Sequence, residues 1–244
     1  MKEVAHESGV YHTTGEAVYI DDMLVNEQLL HGRVVYSPHA HAKIKSFGIE
    51  NAQQLDGVHA VLCYKDIPGE NQIGGIFPDE ELFASKEVHF QGQPIALIIA
   101  ESDLIGFDAR KLIDIKITEK PVIVDPREAQ KKGELIFPPR TFKLGSTVDT
   151  WIKCEHIFEG QADTNGQEHL YIETQGAYAH PLENGNIRIS SSTQGPTAVQ
   201  RTTANVLNLG MHNIEVDVVR LGGGFGGKED QATAWGVMAA LGVK

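Results

Sequence analysis

Residues 222–229 constrain the fold most, because they read GGGFGGKE. Residues 214–220, just before them, alternate apolar and polar side chains, which is typical of a half-buried strand. From residue 229 to residue 241, Ala, Trp, Val, Met and Leu recur at helical spacing. Glycines let the backbone approach a ligand closely, and the amide groups that open a helix attract an anion. The order strand, glycine loop, helix therefore predicts an anion-binding turn.

Two phosphate-binding patterns fit this glycine loop only in part. The glycine spacing satisfies the dinucleotide pattern GxGxxG, which needs an acidic residue about 20 positions later. No acidic residue follows Asp230. The same stretch satisfies the GxxxxGK of a P-loop, but Glu229 stands where a hydroxyl should hold magnesium. Both patterns are therefore disfavoured, and a dinucleotide-binding enzyme remains an alternative.

Composition excludes several classes of protein. A chain of 244 residues with 41% hydrophobic content can bury a sizeable core, and about two domains are expected. A net charge of -12 leaves no basic surface for a nucleic acid. No apolar run approaches the roughly 20 residues of a membrane span, and the polar N-terminus is unlike a signal peptide, so we expect a cytoplasmic protein. Cys63 and Cys154 lie too far apart to indicate a disulfide or a cluster site.

The first 130 residues are predicted to mix helices and strands. Predicted strands cover residues 29–36, 43–49, 58–64, 88–91, 94–100, 115–118 and 122–124, and predicted helices cover 50–55 and 103–113. Residues 95–100 are continuously apolar, which favours a central position in a sheet. Ser102 is placed to cap the second helix. Charge, glycine and proline between residues 126 and 140 predict a boundary, with one domain over 1–130 and another over 131–244.

The second domain is predicted to contain a β-α-β unit. Asn184-Gly185 favours a hairpin turn, and the return strand over 187–192 ends at the phrase TQGP. Pro196 suits the first turn of a helix that extends to about residue 209. Gln194 and Phe225 then both lie where a strand gives way to a helix, and open α/β sheets bind ligands at such points. These two residues are predicted to line one crevice.

The octapeptide GGGFGGKE resembles the molybdenum-cofactor loop of the xanthine dehydrogenase and aldehyde oxidase family. Residues 12–22 are similar to the opening segment of that family's α/β hammerhead domain, residues 37–44 to its first hairpin, and residues 91–96 to its central strand. The resemblance implies an α+β fold. A hammerhead domain over 1–130 would be followed by the first, incomplete part of a mixed α/β molybdopterin-binding domain over 131–244.

The same resemblance implies roles for four residues. Gln194 matches a glutamine that hydrogen-bonds to an oxygen on molybdenum, and Phe225 and Gly226 match residues whose backbone packs against the cofactor. Glu229 matches a glutamate that binds the purine in xanthine-oxidising members and is usually absent from aldehyde-oxidising ones. No protein side chain would ligate the metal directly. The phrase over residues 167–173 is also typical of the family and is interpreted as scaffold.

The implied reaction is hydroxylation of a purine, xanthine or hypoxanthine, with oxygen derived from water. The family's molybdenum subunits continue for hundreds of residues beyond this loop, and their catalytic glutamate and substrate-binding arginine lie there. The resemblance thus implies no catalytic residue in this chain and no turnover by it alone. Its partners would be the rest of the molybdenum subunit and the subunits or domains that carry iron-sulfur clusters and FAD. A non-catalytic binding or assembly module with the same fold is the alternative.

Structural interpretations compete with each of these roles. Glu229 is expected in the first turn of the helix that follows and could be stabilised by its dipole, Gln194 could cap a turn, and Phe225 could fill the core. His39 and His41 could share one strand face, but with no third ligand in view we interpret both as structural. Asp21 and Asp22 are interpreted as turn residues.

Overall fold

A computed structural model describes residues 4–23 and 28–244, which form an α+β fold. The strands are β1 (His31–Tyr36), β2 (Ala42–Gly48), β3 (Val58–Cys63), β4 (Glu87–Val88), β5 (Pro94–Ala100), β6 (Asp114–Glu119), β7 (Ala177–Pro181), β8 (Ile187–Ser191) and β9 (Ile214–Asp217). The helices are α1 (Gly9–Thr14), α2 (Glu50–Gln53), α3 (Asp103–Lys111), α4 (Pro126–Lys132), α5 (Thr147–Trp151), α6 (Pro196–Leu207) and α7 (Gln231–Leu241). Within the described ranges, no helix is long and apolar enough to cross a membrane.

Strand β5 is the centre of the first sheet, whose order is β1-β5-β3 with antiparallel pairing throughout. Its residues from Ile95 to Ala100 are all buried, because the sheet is covered on both faces. The predicted central position of this apolar run is confirmed. Helix α3 follows β5 directly, and the hydroxyl of Ser102 accepts a hydrogen bond from the backbone N–H of Ile105, as the capping prediction required.

The second sheet has the order β4-β2-β6, which shows that the prediction of a hairpin over residues 37–44 is wrong. Strand β1 pairs with β5, whereas β2 pairs with β4 and β6. The chain changes sheets at Ser37, whose backbone N–H donates to the carbonyl oxygen of Gln93 at 2.9 Å. The predicted strand over residues 122–124 is wrong as well, because that segment has no regular structure and Val124 is 89% exposed.

The third sheet has the order β7-β8-β9 and carries the candidate site. Strands β7 and β8 form a hairpin in which Asn184 has φ 60° and Gly185 has φ 75°, as an Asn-Gly turn requires. Strands β8 and β9 pair in parallel and are connected by α6, which confirms the β-α-β prediction. Helix α6 ends at Leu207, with Asn208 in the left-handed conformation, two residues earlier than predicted.

One hydrophobic core joins the first and third sheets. Leu97 of β5 clusters with Ile189 of β8, Val199 of α6 and Val237 of α7, all of them buried. Residues 1–120 and 169–244 accordingly form one compact unit. This shared core fixes β8, α6 and the segments beside them, from which the site residues project.

Residues 121–168 form a separate, small unit that contains α4 and α5. Its large apolar side chains are mostly exposed; they include Phe142 at 92%, Trp151 at 56% and Phe158 at 91%. The predicted domain boundary near residue 130 stays a prediction.

Candidate functional site

The glycine loop between β9 and α7 is folded around the side chain of Lys228, which is fully buried. Its ammonium group donates to the backbone carbonyl of Glu173 at 2.7 Å, to Oε2 of Glu173 at 3.1 Å and to Oγ of Ser192 at 2.7 Å. An ammonium group has three N–H donors, so all of its protons have acceptors within the protein. This lysine is therefore not available to a nucleotide phosphate, which agrees with the rejection of the P-loop pattern.

Glu173 completes this buried ion pair. Its Oε2 accepts hydrogen bonds from the Ser192 hydroxyl at 2.6 Å and from the backbone N–H of Gly222 at 2.7 Å, in addition to the one from Lys228. Burial alone would raise the pKa of the Glu173 carboxyl, but these three donors outweigh it and hold the pKa below its usual value. Because Gly222 opens the loop and Lys228 lies near its end, one carboxylate fastens both ends.

Gln194 lies at the turn after β8 and contacts the middle of the loop. Its Oε1 accepts from the backbone N–H of Gly226 at 3.0 Å and of Lys228 at 3.3 Å. With the oxygen engaged, the amide nitrogen is the atom left to donate outwards, and it has no hydrogen-bond partner within residues 4–23 and 28–244. The site thus presents an oriented, uncharged N–H donor.

Gly224 is needed for this contact. A Cβ atom built there would lie 2.5 Å from Cδ of Gln194, closer than real Cβ atoms come. The same holds for Gly222, where a Cβ would lie 2.3 Å from Cβ of Glu173. These glycines allow the loop backbone to pack directly against the side chains that hold it.

Phe225 and Gly226 form the exposed turn of the loop. Phe225 has φ 49°, an uncommon value for a bulky residue, and its side chain is 76% exposed. Gly226 has φ 86°, and a Cβ there would meet nothing within 4 Å. The contacts of Lys228 and Gln194 hold this backbone in place, and conformations of this kind cluster at ligand-binding sites. Since Phe225 is exposed, it does not fill the core.

The structure brings Gln194, Phe225 and Gly226 together on one surface. The Gln194 side chain accepts hydrogen bonds from the turn of the glycine loop, so it does cap a turn, and helix α6 begins after Gly195. Glu229 is exposed and precedes α7, which begins at Gln231. The expectation that Glu229 lies in the first turn of that helix is therefore wrong. The functional roles of these four residues stay predictions.

Sequence reasoning missed the Lys228 pair. The sequence indicates a scaffold role for Glu173 and, for Lys228, only a possible phosphate contact. In the structure the two residues, 55 positions apart in the chain, are in contact. The available signal was the position of a lysine inside a glycine loop, since a charge without a ligand there requires a buried partner. The same segment also supports the loop through Gln175, whose amide donates to the carbonyl of Gly227 at 3.0 Å and whose oxygen accepts from Trp235 Nε1.

A cleft of about 180 Å³ lies near the C-terminal end of the loop, between residues 73–80 and the start of α7. Asp79, Glu80 and Asp230 line it. Burial raises the pKa of the Glu80 carboxyl, and the negative charges of Asp79 and Asp230 raise it further. Among the described residues that line this cleft there is no cation to match the role of Lys228, so its acidic groups destabilise one another.

The surface made by Gln194, Phe225 and Gly226 suits a cofactor that carries oxygen acceptors. The Gln194 amide can donate without adding charge, and the backbone at Gly226 is open to close approach because no side chain covers it. The loop is held in this form by a buried ion pair. These observations fit a pterin-held metal lying against the loop.

Two protein-family descriptions match successive parts of the chain. Residues 14–121 match the family description "Aldehyde oxidase and xanthine dehydrogenase, a/b hammerhead domain", and residues 128–244 match "Molybdopterin cofactor-binding domain". The structure is similar to that of quinoline 2-oxidoreductase from Pseudomonas putida 86, with a TM-score of 0.79 and 26% sequence identity, over 98% of this chain and 33% of that one.

Two curated relatives show how far the similarity extends. The chain is 39% identical over 239 residues to xanthine dehydrogenase of Calliphora vicina, which covers 97% of this chain and 18% of the relative. It is 34% identical over 244 residues to aldehyde oxidase 2 of Cavia porcellus, covering 99% of this chain and 18% of the relative. The chain therefore spans about a fifth of the length of these relatives. It belongs to the xanthine dehydrogenase and aldehyde oxidase family and contains the family's hammerhead domain and a molybdopterin cofactor-binding domain.

Proposed function

We propose that this chain is part of a molybdenum hydroxylase and provides one wall of the site for its molybdenum–molybdopterin cofactor. The observation that carries the proposal is the fixed amide of the exposed Gln194, whose oxygen accepts hydrogen bonds from Gly226 and Lys228, which leaves its nitrogen as the donor for a ligand. Bound molybdopterin would supply the redox chemistry that no protein side chain can perform. The remaining catalytic groups, including the expected glutamate and arginine, are assigned to the rest of the enzyme.

Each site residue has a physical task in this proposal. The Nε2 atom of Gln194 would donate a hydrogen bond to the cofactor. The backbone of Phe225 and Gly226 would pack against it, because the positive φ angles expose the peptide groups of the turn. The buried pair of Lys228 and Glu173 keeps this surface rigid, so little reorganisation is needed when the cofactor binds.

The proposed substrate is a purine such as xanthine or hypoxanthine, hydroxylated with oxygen derived from water. Glu229 supports this choice, since an exposed carboxylate beside the site can accept hydrogen bonds from the N–H groups of a purine. An aldehyde has no such donors. Electrons would leave through iron-sulfur clusters and FAD on partner subunits or domains, and the assembly is proposed to be cytoplasmic.

The test uses the protein purified in its native assembly, with molybdenum measured by mass spectrometry and oxidation of xanthine and benzaldehyde measured at steady state. Gln194→Glu keeps an acceptor oxygen for Gly226 and Lys228 and removes the outward donor. We expect it to retain molybdenum and to lose about 100-fold in kcat, as removal of one positioned donor does elsewhere. Gln194→Ala should lose molybdenum as well, because the loop contact disappears.

Glu229→Ala tests the substrate. We expect about a 10- to 100-fold loss in kcat/KM for xanthine, the effect of one charged hydrogen bond, with benzaldehyde oxidation little changed. Glu183→Ala, which removes an exposed glutamate in the turn between β7 and β8, is the matched control. Equal loss with both substrates would refute the purine assignment. A native assembly without molybdenum would overturn the proposed function and favour a non-catalytic module.

A further inference from the structure

The edge of the second sheet carries three metal-ligating side chains that lie far from the glycine loop in sequence. Glu87 and His89 are two positions apart on and just after β4, so their side chains leave the same face of the strand. His41 precedes β2, which pairs with β4 so that Ala42 lies opposite Val88. Antiparallel pairing in this register places His41 across from His89.

The three side chains converge. One ligand atom from each of His41, Glu87 and His89 can be chosen so that all three atoms lie within 4.8 Å of one another. Nε2 of His41 lies 2.7 Å from Oε1 of Glu87, and the rings of His41 and His89 stack with centroids 6.1 Å apart. Tetrahedral zinc, with bonds of about 2.1 Å, needs ligand atoms about 3.4 Å apart. The separations in this cluster, 2.7 Å for one pair and at most 4.8 Å for the others, lie on either side of that value.

The backbone beneath this cluster is firmly held. Val88, which separates Glu87 from His89, and Ala42, which lies opposite Val88 and follows His41, are buried at 1% and 0% exposure. The backbone N–H of His89 donates at 2.7 Å to Oε1 of Gln93, a buried side chain. The ligands themselves reach solvent, with 29% of the His41 side chain and 27% of Glu87 exposed and His89 more so. An ion and a water ligand can therefore enter without unfolding the sheet.

We propose that His41, Glu87 and His89 form a binding site for a divalent transition metal of the zinc type. Two imidazoles and one carboxylate are a ligand set that zinc uses, and the open side leaves a fourth position for water. A bound ion would connect the ends of β2 and β4. This site is separate from the proposed molybdenum chemistry, and neither depends on the other.

Lys120 is the cation that pairs with the carboxylate of Glu87 when no metal is bound. Its ammonium group lies 2.6 Å from Oε1 of Glu87, and its backbone N–H donates to the carbonyl of His41 at 3.0 Å. The side chain is 40% exposed, so it can swing into solvent when a metal binds. Because Lys120 competes for the same oxygen, its removal should strengthen metal binding, an effect that a purely structural ion pair would not produce.

The experiment is a titration with Zn2+ by isothermal calorimetry on the protein in its native assembly, after dialysis against a weak chelator. We expect one high-affinity ion per copy of this chain in the wild type. His89→Ala and Glu87→Gln should each weaken binding about tenfold or more, equivalent to the loss of one ligand. Lys120→Met should tighten binding several-fold.

His59→Ala is the matched control, because His59 is an exposed histidine 3.6 Å from Glu101 that belongs to no three-ligand cluster in the part of the chain that the structure describes. It should leave the Zn2+ affinity unchanged. Circular dichroism of each variant checks folding, and the melting temperature of the wild type should rise with Zn2+ whereas that of His89→Ala should not. The proposal is overturned if no stoichiometric ion binds, if binding survives His89→Ala, or if His59→Ala weakens it equally.

Discussion

Two partly buried glutamates near the glycine loop have carboxyl pKa values that are shifted in opposite directions. Glu173 receives hydrogen bonds from Ser192, Gly222 and Lys228, and its pKa is held below the usual value. Glu80 is also partly buried, but its charged neighbours are Asp79 and Asp230, and its pKa is raised. Burial raises the pKa in both cases, so the neighbouring donors and charges decide the sign of the net shift. The donors around Glu173 thus stabilise the loop, whereas the charges of Asp79 and Asp230 repel that of Glu80.

Removing the cation at the first glutamate should have the largest effect. Lys228→Met leaves the carboxylate of Glu173, whose side chain is 8% exposed, without its cation. We expect the free energy of unfolding to fall by about 3–5 kcal/mol, the usual cost of breaking a buried ion pair from one side. The midpoint of urea unfolding measures this loss.

Two further variants check that interpretation. Lys116→Met breaks an exposed pair with Asp114, whose charged atoms are 3.8 Å apart, and should cost less than about 1 kcal/mol. Combining Lys228→Met with Glu173→Leu removes both charges and should recover part of the loss. If Lys228→Met proved as mild as the surface variant, the pair would not be the support of the loop.

An intermediate effect is expected from the carboxyl itself and should depend on pH. A carboxyl whose pKa is lowered in the folded state stabilises the protein above its unfolded value, near 4.5, and this contribution is lost as the pH falls through the lower folded value. Glu173→Gln keeps an acceptor oxygen and should cost about 2 kcal/mol at pH 7, as a charged hydrogen bond does. In urea unfolding from pH 7 to pH 3, the gap between wild type and variant should narrow. A constant gap would contradict the assignment.

The smallest effect, with the opposite sign, is expected at the second glutamate. A carboxyl whose pKa is raised in the folded state leaves the protein less stable once the pH rises above its unfolded value, near 4.5. Glu80→Gln should therefore stabilise the protein by about 0.5–1 kcal/mol at pH 7, within the range of charge optimisation, and by nothing at pH 4. Glu70→Gln, at an exposed glutamate, should change neither value. Destabilisation by Glu80→Gln would show that the repulsion is not felt.

Local signals predicted much of the fold. The apolar run of β5, the Ser102 cap, the Asn184-Gly185 hairpin and the parallel unit around α6 follow from neighbours within a few residues, and the structure has each of them. The sheet assignment of β2 did not follow, because its pairing partners lie 44 to 77 residues away in the chain. The hairpin over residues 37–44 was implied by the family resemblance, but β1 pairs with β5 and not with β2.

Part of the candidate site could likewise be predicted from the sequence, and part could not. Gln194 and Phe225 could be chosen because each ends a strand in a β-α-β unit, and the tertiary structure places their segments in contact. The grouping of His41 with Glu87 and His89 could not be foreseen, since nothing local relates residue 41 to residue 87.

The sequence alone determined the order of strands and helices around the glycine loop and the backbone freedom that its glycines give. Local propensity and turn chemistry depend on neighbours within a few residues, so each segment of the sequence contains the information that they need. Only the tertiary structure decided that the loop lysine is buried against Glu173 and that one glutamate is stabilised while another is repelled. Those outcomes depend on desolvation and on charges brought together from distant positions, which folding alone makes neighbours.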